Sequence, residues 1–186
     1  ATALQRHGSE AVYPEAPALP APPATPEQSP AYCRAGIPDC LAHVRAHPEA
    51  VAADVDARKE LTAAIAGLAD YQHVRSPYPP DVHAPLPSAL GRLFTPLAGH
   101  ALAHVQGNSA QALDGLCRDM GSARMLASQS DSLIVAMVGA RWLQANGELL
   151  GNVLAELPAD VLIPAGCKAG LQILEPAAIS LCRPLQ

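Results

Sequence analysis

Proline placement constrains this chain more than any other feature. Of its 19 prolines, seven lie in residues 1–30 and five in residues 71–88. Proline holds φ at about −65° and removes a backbone donor, so neither window can form a helix or an interior strand. Regular structure is therefore confined to the stretches between and after them. Residues 1–30, alternating Pro with Ala from Pro14 to Pro26, favour polyproline II and are expected to be a disordered tail. Residues 31–186 are expected to form a single domain of ordinary size.

Within that domain, apolar residues recur at helical spacing. Asp39 is placed to cap a helix over 40–46. Pro48 opens the next, with Glu49 favourably near its N-terminus, and the pattern Val51, Val55, Leu61, Ile65, Leu68 carries it to about 68. After the second proline window, Leu90, Leu93, Phe94, Leu97, Leu102 and Val105 form a further stripe, which Pro96 should split near Thr95. Gly107-Asn108-Ser109 is a stop-and-restart signal. It leads into a helix over 110–128 with Leu113, Leu116, Cys117 and Met120 inward, and Asp114, Arg118 and Asp119 outside. Ser130-Asp131 is expected to cap the longest helix, 132–157. Few charges interrupt that helix, so it should be central, with Trp142 in the core and Met120, Met125 and Met137 filling gaps. Short helices are expected at 165–174 and 177–182.

No segment alternates at period two for long. The expectation is an all-α, irregular bundle of about five to seven helices around a long central one. Aromatic residues are only 3% of the chain, so Ala, Leu, Val and Ile must build its core. The longest uninterrupted apolar run of the last long helix is 133–140, well short of the ~20 residues a membrane span needs. No transmembrane span is expected.

The net charge of −5 gives no electrostatic footprint for nucleic acid or an anionic membrane. The five cysteines form no CxxC, which excludes a zinc ribbon or a thioredoxin motif. Widely spaced cysteines fit an oxidising compartment. Cys33 and Cys40 flank a turn and are expected to pair. Cys167 and Cys182, on two short helices, are expected to form the second bridge, leaving Cys117 as an odd buried thiol. The chain starts at Ala1 with no apolar leader, which reads as a signal peptide removed or not included, and the expected location is periplasmic or envelope-associated.

No constellation for chemistry stands out. GxSxG, a glycine-rich loop after a strand and ExxH are all missing, and no cofactor is expected. Two histidine pairs, His43/His47 and His100/His104, have the i,i+4 spacing by which a helix presents two metal ligands. A metal-dependent hydrolase on His100 and His104, completed by Asp114, Asp119 or His83, is the alternative to polar or capping roles for these rings. The richer surface is the window 71–88, read as an ordered strap across the helices. Tyr71, His73, Arg75, Tyr78, Asp81 and His83 would give it an aromatic and polar patch, and Tyr and Arg are enriched at interface hot spots.

The segments Cys40-Leu-Ala-His-Val-Arg, Tyr71-Gln-His-Val-Arg-Ser-Pro-Tyr-Pro-Pro, Cys117-Arg-Asp, Ser130-Asp-Ser-Leu-Ile and Leu181-Cys-Arg together make residues 33–183 resemble a family of helical bacterial envelope (periplasmic) proteins. The resemblance brings no catalytic motif with it. Some small secreted helical proteins of this kind are periplasmic immunity proteins, which neutralise antibacterial effectors delivered by contact-dependent secretion systems. What it implies here is a non-enzymatic binding protein whose partner is a cognate effector toxin.

Overall fold

The computed structural model describes residues 39–76 and 90–173, and these are all-α. Seven α-helices stand among the described residues: α1 (Cys40–Ala46), α2 (Pro48–Ala57), α3 (Lys59–Ala66), α4 (Pro96–Val105), α5 (Ser109–Gln129), α6 (Leu133–Ala155) and α7 (Cys167–Leu171). Short 3₁₀ turns cover Gly67–Asp70 and Leu90–Phe94. The expected tail over 1–30 and the short helix over 177–182 lie outside the described residues.

The spine is an antiparallel hairpin of the two longest helices, α5 and α6. Gly139 permits their closest approach. A Cβ there would stand 2.7 Å from the backbone nitrogen of Ala127 and 2.7 Å from Leu126 Cβ. Two apolar clusters form along this spine. The larger joins the first half of α5 (Leu113, Leu116, Met120) to the second half of α6 (Ala145, Leu149, Leu150, Val153), and α1, α2 and α4 close over it with Leu41, Val44, Val51 and Leu97. The smaller holds Ala123 and Leu126 of α5, Val135 and Trp142 of α6, and Ile65 of α3.

Local chemistry explains most boundaries. Asp39 accepts the amide of Ala42 at 2.9 Å and starts α1, as expected, and Pro48 occupies the first turn of α2. Pro96 opens α4 directly after the 3₁₀ turn. Gly107, at φ +86°, takes the left-handed conformation that ends α4. The expected helix over 48–68 is instead two. It breaks at Arg58 (φ −113°, ψ 12°), whose Nε reaches back one turn to Asp54 Oδ1 at 2.8 Å. Before the break Val51 enters the larger cluster, and after it Ile65 enters the smaller.

The start of α6 also differs from expectation. Ser132, not Ser130-Asp131, is its N-cap and accepts from the amide of Val135. Ser130 and Asp131 are engaged by the strap. Val74 forms a parallel bridge with Ser130, and the Val74 amide donates to the Gln129 carbonyl at 3.2 Å. The Ser76 amide donates to Asp131 Oδ1 at 2.8 Å. Trp142 is fully buried as expected, but Met137 is 62% exposed and fills no gap.

Candidate functional site

The cysteines correct one expectation. Cys117 is not an odd thiol. It bridges to Cys167 across 50 residues, with the Cα atoms 4.5 Å apart. The pairing of Cys167 with Cys182 is thereby excluded. The physical reason is the docking of α7 on α5. Gly170 lies so close to that helix that a Cβ would stand 3.0 Å from Met120 Cβ, which brings Cys167 onto the inward face where Cys117 sits. Cys40 is also disulfide-bonded, and the Cys33 expected as its partner lies outside the described residues, as does Cys182.

The expected ligand pair His100/His104 is buried on α4, and the two rings serve different networks. His100 Nε2 meets Asp119 Oδ2 at 2.9 Å. Asp119 was expected to face outward. It is fully buried, and its Oδ1 accepts from Arg118 Nε at 3.0 Å and from Arg118 Nη2 at 2.9 Å. A buried carboxylate needs such compensation, which here comes from a histidine on the core side and an arginine on the surface side. Gly115 makes room for the histidine, since a Cβ there would fall 2.3 Å from His100 Cε1.

His104 joins four elements. Its Nδ1 meets Ser109 Oγ at 2.9 Å and its Nε2 meets Glu156 Oε2 at 2.9 Å, while Arg45 of α1 pairs with the same carboxylate. The hydrogen bond from Arg45, then that from His104, holds the Glu156 carboxyl below its ordinary value. With both nitrogens of His104 taken up, the ring acts as a clamp between helix ends. His43 and His47 of α1 lie with ring centroids 5.2 Å apart; burial, then the charge of His47, lowers the His43 pKa. Among the described residues, no three His, Cys, Asp or Glu side chains converge as metal ligands. Asp114 is exposed on α5, and His83 lies outside the described residues.

The strap is where an open surface forms. Tyr71 (63% exposed), His73 and Arg75 all face outward on the backbone that Val74 and Ser76 pin to the α5–α6 corner. Tyr78, Asp81 and His83 lie outside the described residues. Between the strap and α5 is a cleft of about 320 Å³, with Tyr71 and Gln72 on one wall and Arg118, Ser122, Met125 and Gln129 along the other. These α5 positions fall at i, i+4, i+7 and i+11, one stripe of a helix. Cys117 and Gly166 close the end toward α7.

The sequence placed Arg118 and Asp119 together on the outer face of α5, and the structure buries Asp119. A signal was present. Asp119 stands three residues after Leu116 and four before Ala123, both fully buried, so helical periodicity places it on the inward face. No protein-family model, curated protein or solved structure matches this chain.

Proposed function

We propose that this chain is a non-enzymatic binding protein of the bacterial envelope, of the immunity type. It seats on a protein effector through the strap surface and occludes that effector's site. The observation that supports this reading most is the presentation of Tyr71, His73 and Arg75. Three solvent-facing side chains of hot-spot or charged type stand on a segment fixed by the Val74–Ser130 bridge and the Ser76–Asp131 hydrogen bond. A segment already ordered loses less conformational entropy on binding than a free loop. The Cys117–Cys167 bridge fits an oxidising compartment such as the periplasm.

The test is pull-down of the protein encoded beside this gene, with wild type and with Tyr71→Ala/Arg75→Ala. Both side chains are exposed, so the double variant should melt within a degree or two of wild type. Its affinity should fall about thirtyfold, the ~2 kcal/mol typical of hot-spot truncation. Undiminished binding by the variant would remove the strap from the interface. Failure of wild type to bind the neighbouring product would remove the immunity reading.

A further inference from the structure

We propose that the cleft beside Arg118 receives a carboxylate side chain from an acidic segment of the partner. The proposal builds on the strap as a binding surface and names what the surface takes. Arg118 is fixed before any ligand arrives. Its Nε and Nη2 both donate to Asp119 Oδ1, and that carboxylate is 1% exposed and held from behind by His100. The Arg118 side chain is 37% exposed, and the residue lines the cleft. Its Nη1 makes no hydrogen bond among the described residues. A planar fork with one edge anchored and the other toward a cleft is suited to bidentate capture of a carboxylate.

The opposite wall agrees with an acceptor ligand. Tyr71 and Gln72, both exposed, each carry a donor on it.

Two glycines keep the space open. A Cβ at Gly121 or at Gly166 would meet nothing within 4 Å, and both residues line the cleft. Gly in a helix interior is itself less favourable than Ala. Gly121, in mid-α5, is thus a residue the helix would replace with profit and the packing does not require.

That gives a test which spares the fold. The Arg118 Nε–H resonance of the full chain is followed by NMR while an N-acetylated, C-terminally amidated hexapeptide with two Glu is titrated, beside its Glu→Gln twin and inorganic phosphate. A saturable shift with the Glu peptide is expected, weaker by about tenfold for the Gln twin. Gly121→Leu should abolish the shift while melting no lower than wild type. Arg118→Lys, which keeps a cation on Asp119, should weaken Glu-peptide binding about tenfold, followed in wild type and variant alike on the Ser122 backbone amide. No saturable shift, an equal shift with the Gln twin, or indifference to Gly121→Leu overturns the proposal. Phosphate acting at lower concentration than the Glu peptide overturns the carboxylate as ligand. The two readings also fail separately. If the neighbouring protein loses affinity with Tyr71→Ala/Arg75→Ala but not with Gly121→Leu, the strap stands and the Arg118 cleft does not. If the Glu peptide binds and the neighbouring protein does not, the reverse holds.

Discussion

The two ends of the α5–α6 hairpin are built on different terms. At one end α1, α2 and α4 close over the spine, the larger cluster is sealed, and His104 ties Ser109 to Glu156, which Arg45 holds from α1. At the other end, among the described residues, the cover is lighter: α3, the two 3₁₀ turns and residues 71–76. There Leu133 (36%), Ile134 (38%) and Met137 (62%) of α6 remain exposed, and the cleft beside Arg118 opens. The contrast teaches where stability and recognition are separated. A surface meant to meet a partner carries few contacts of its own, and regions of low local stability are where binding segments are commonly found.

The largest expected effect tests that separation directly. Leu116→Ala empties a fully buried site in the larger cluster and should cost about 2–5 kcal/mol, measured by urea denaturation. Met137→Ala, at the lightly covered end, should stay within ~0.5 kcal/mol. A comparable loss for Met137→Ala would mean that the outer face of α6 is covered, and the comparison would fail.

Next in size is the Cys117–Cys167 bridge, which links α7 to α5 beside the cleft. Cys117→Ala/Cys167→Ala should lower stability by roughly 2–4 kcal/mol. Hydrogen exchange sharpens the result: amides of α7 should exchange freely while those of α4 remain the better protected. Equal loss of protection at α4 would show that the two ends unfold as one unit.

The sequence made the helical part of this arrangement readable and the bridging part not. Helix starts at Asp39 and Pro48, the split at Pro96 and the stop at Gly107 depend on local backbone chemistry, which the residues themselves state. The break at Arg58 does not. Val51 on one side of it packs in the larger cluster and Ile65 on the other side in the smaller, and the apolar pattern runs across the break without marking it. The same holds for the cysteines, since closeness in sequence suggested partners while the docking of α7 on α5 decides one. For the site, the sequence expected prolines to hold the patch of Tyr71, His73 and Arg75, but those prolines lie outside the described residues, and the contacts that pin residues 74–76 are the Val74–Ser130 bridge and the Ser76–Asp131 hydrogen bond. The role of Arg118 was not legible, because it depends on a buried Asp119 and on a histidine 19 positions away from that carboxylate. The apolar start of α6 read as core, but hydrophobicity alone does not say which face a neighbour covers.

The smallest expected effect lies at the closed end and concerns its electrostatic clamp. Arg45, then His104, depress the Glu156 carboxyl below 4.5. The folded state therefore keeps this carboxylate charged at pH values where the unfolded chain protonates it. Its contribution to stability is complete above about pH 4.5 and is lost as pH falls through the lowered folded value. Glu156→Gln leaves an acceptor for Arg45 but removes the titration. Wild type should melt above the variant at about pH 6, and the gap should narrow progressively as pH falls below the ordinary carboxyl range. The gap itself should be modest, since Arg45 and Glu156 are 47% and 35% exposed and water screens them. Raising salt to about 0.5 M should narrow it further at neutral pH. A gap that persists unchanged into acid would mean that Glu156 holds α1, α4 and α6 together through shape and neutral hydrogen bonds. The closed end would then owe its tightness to packing alone, and the two ends would differ only in how much apolar surface each one covers.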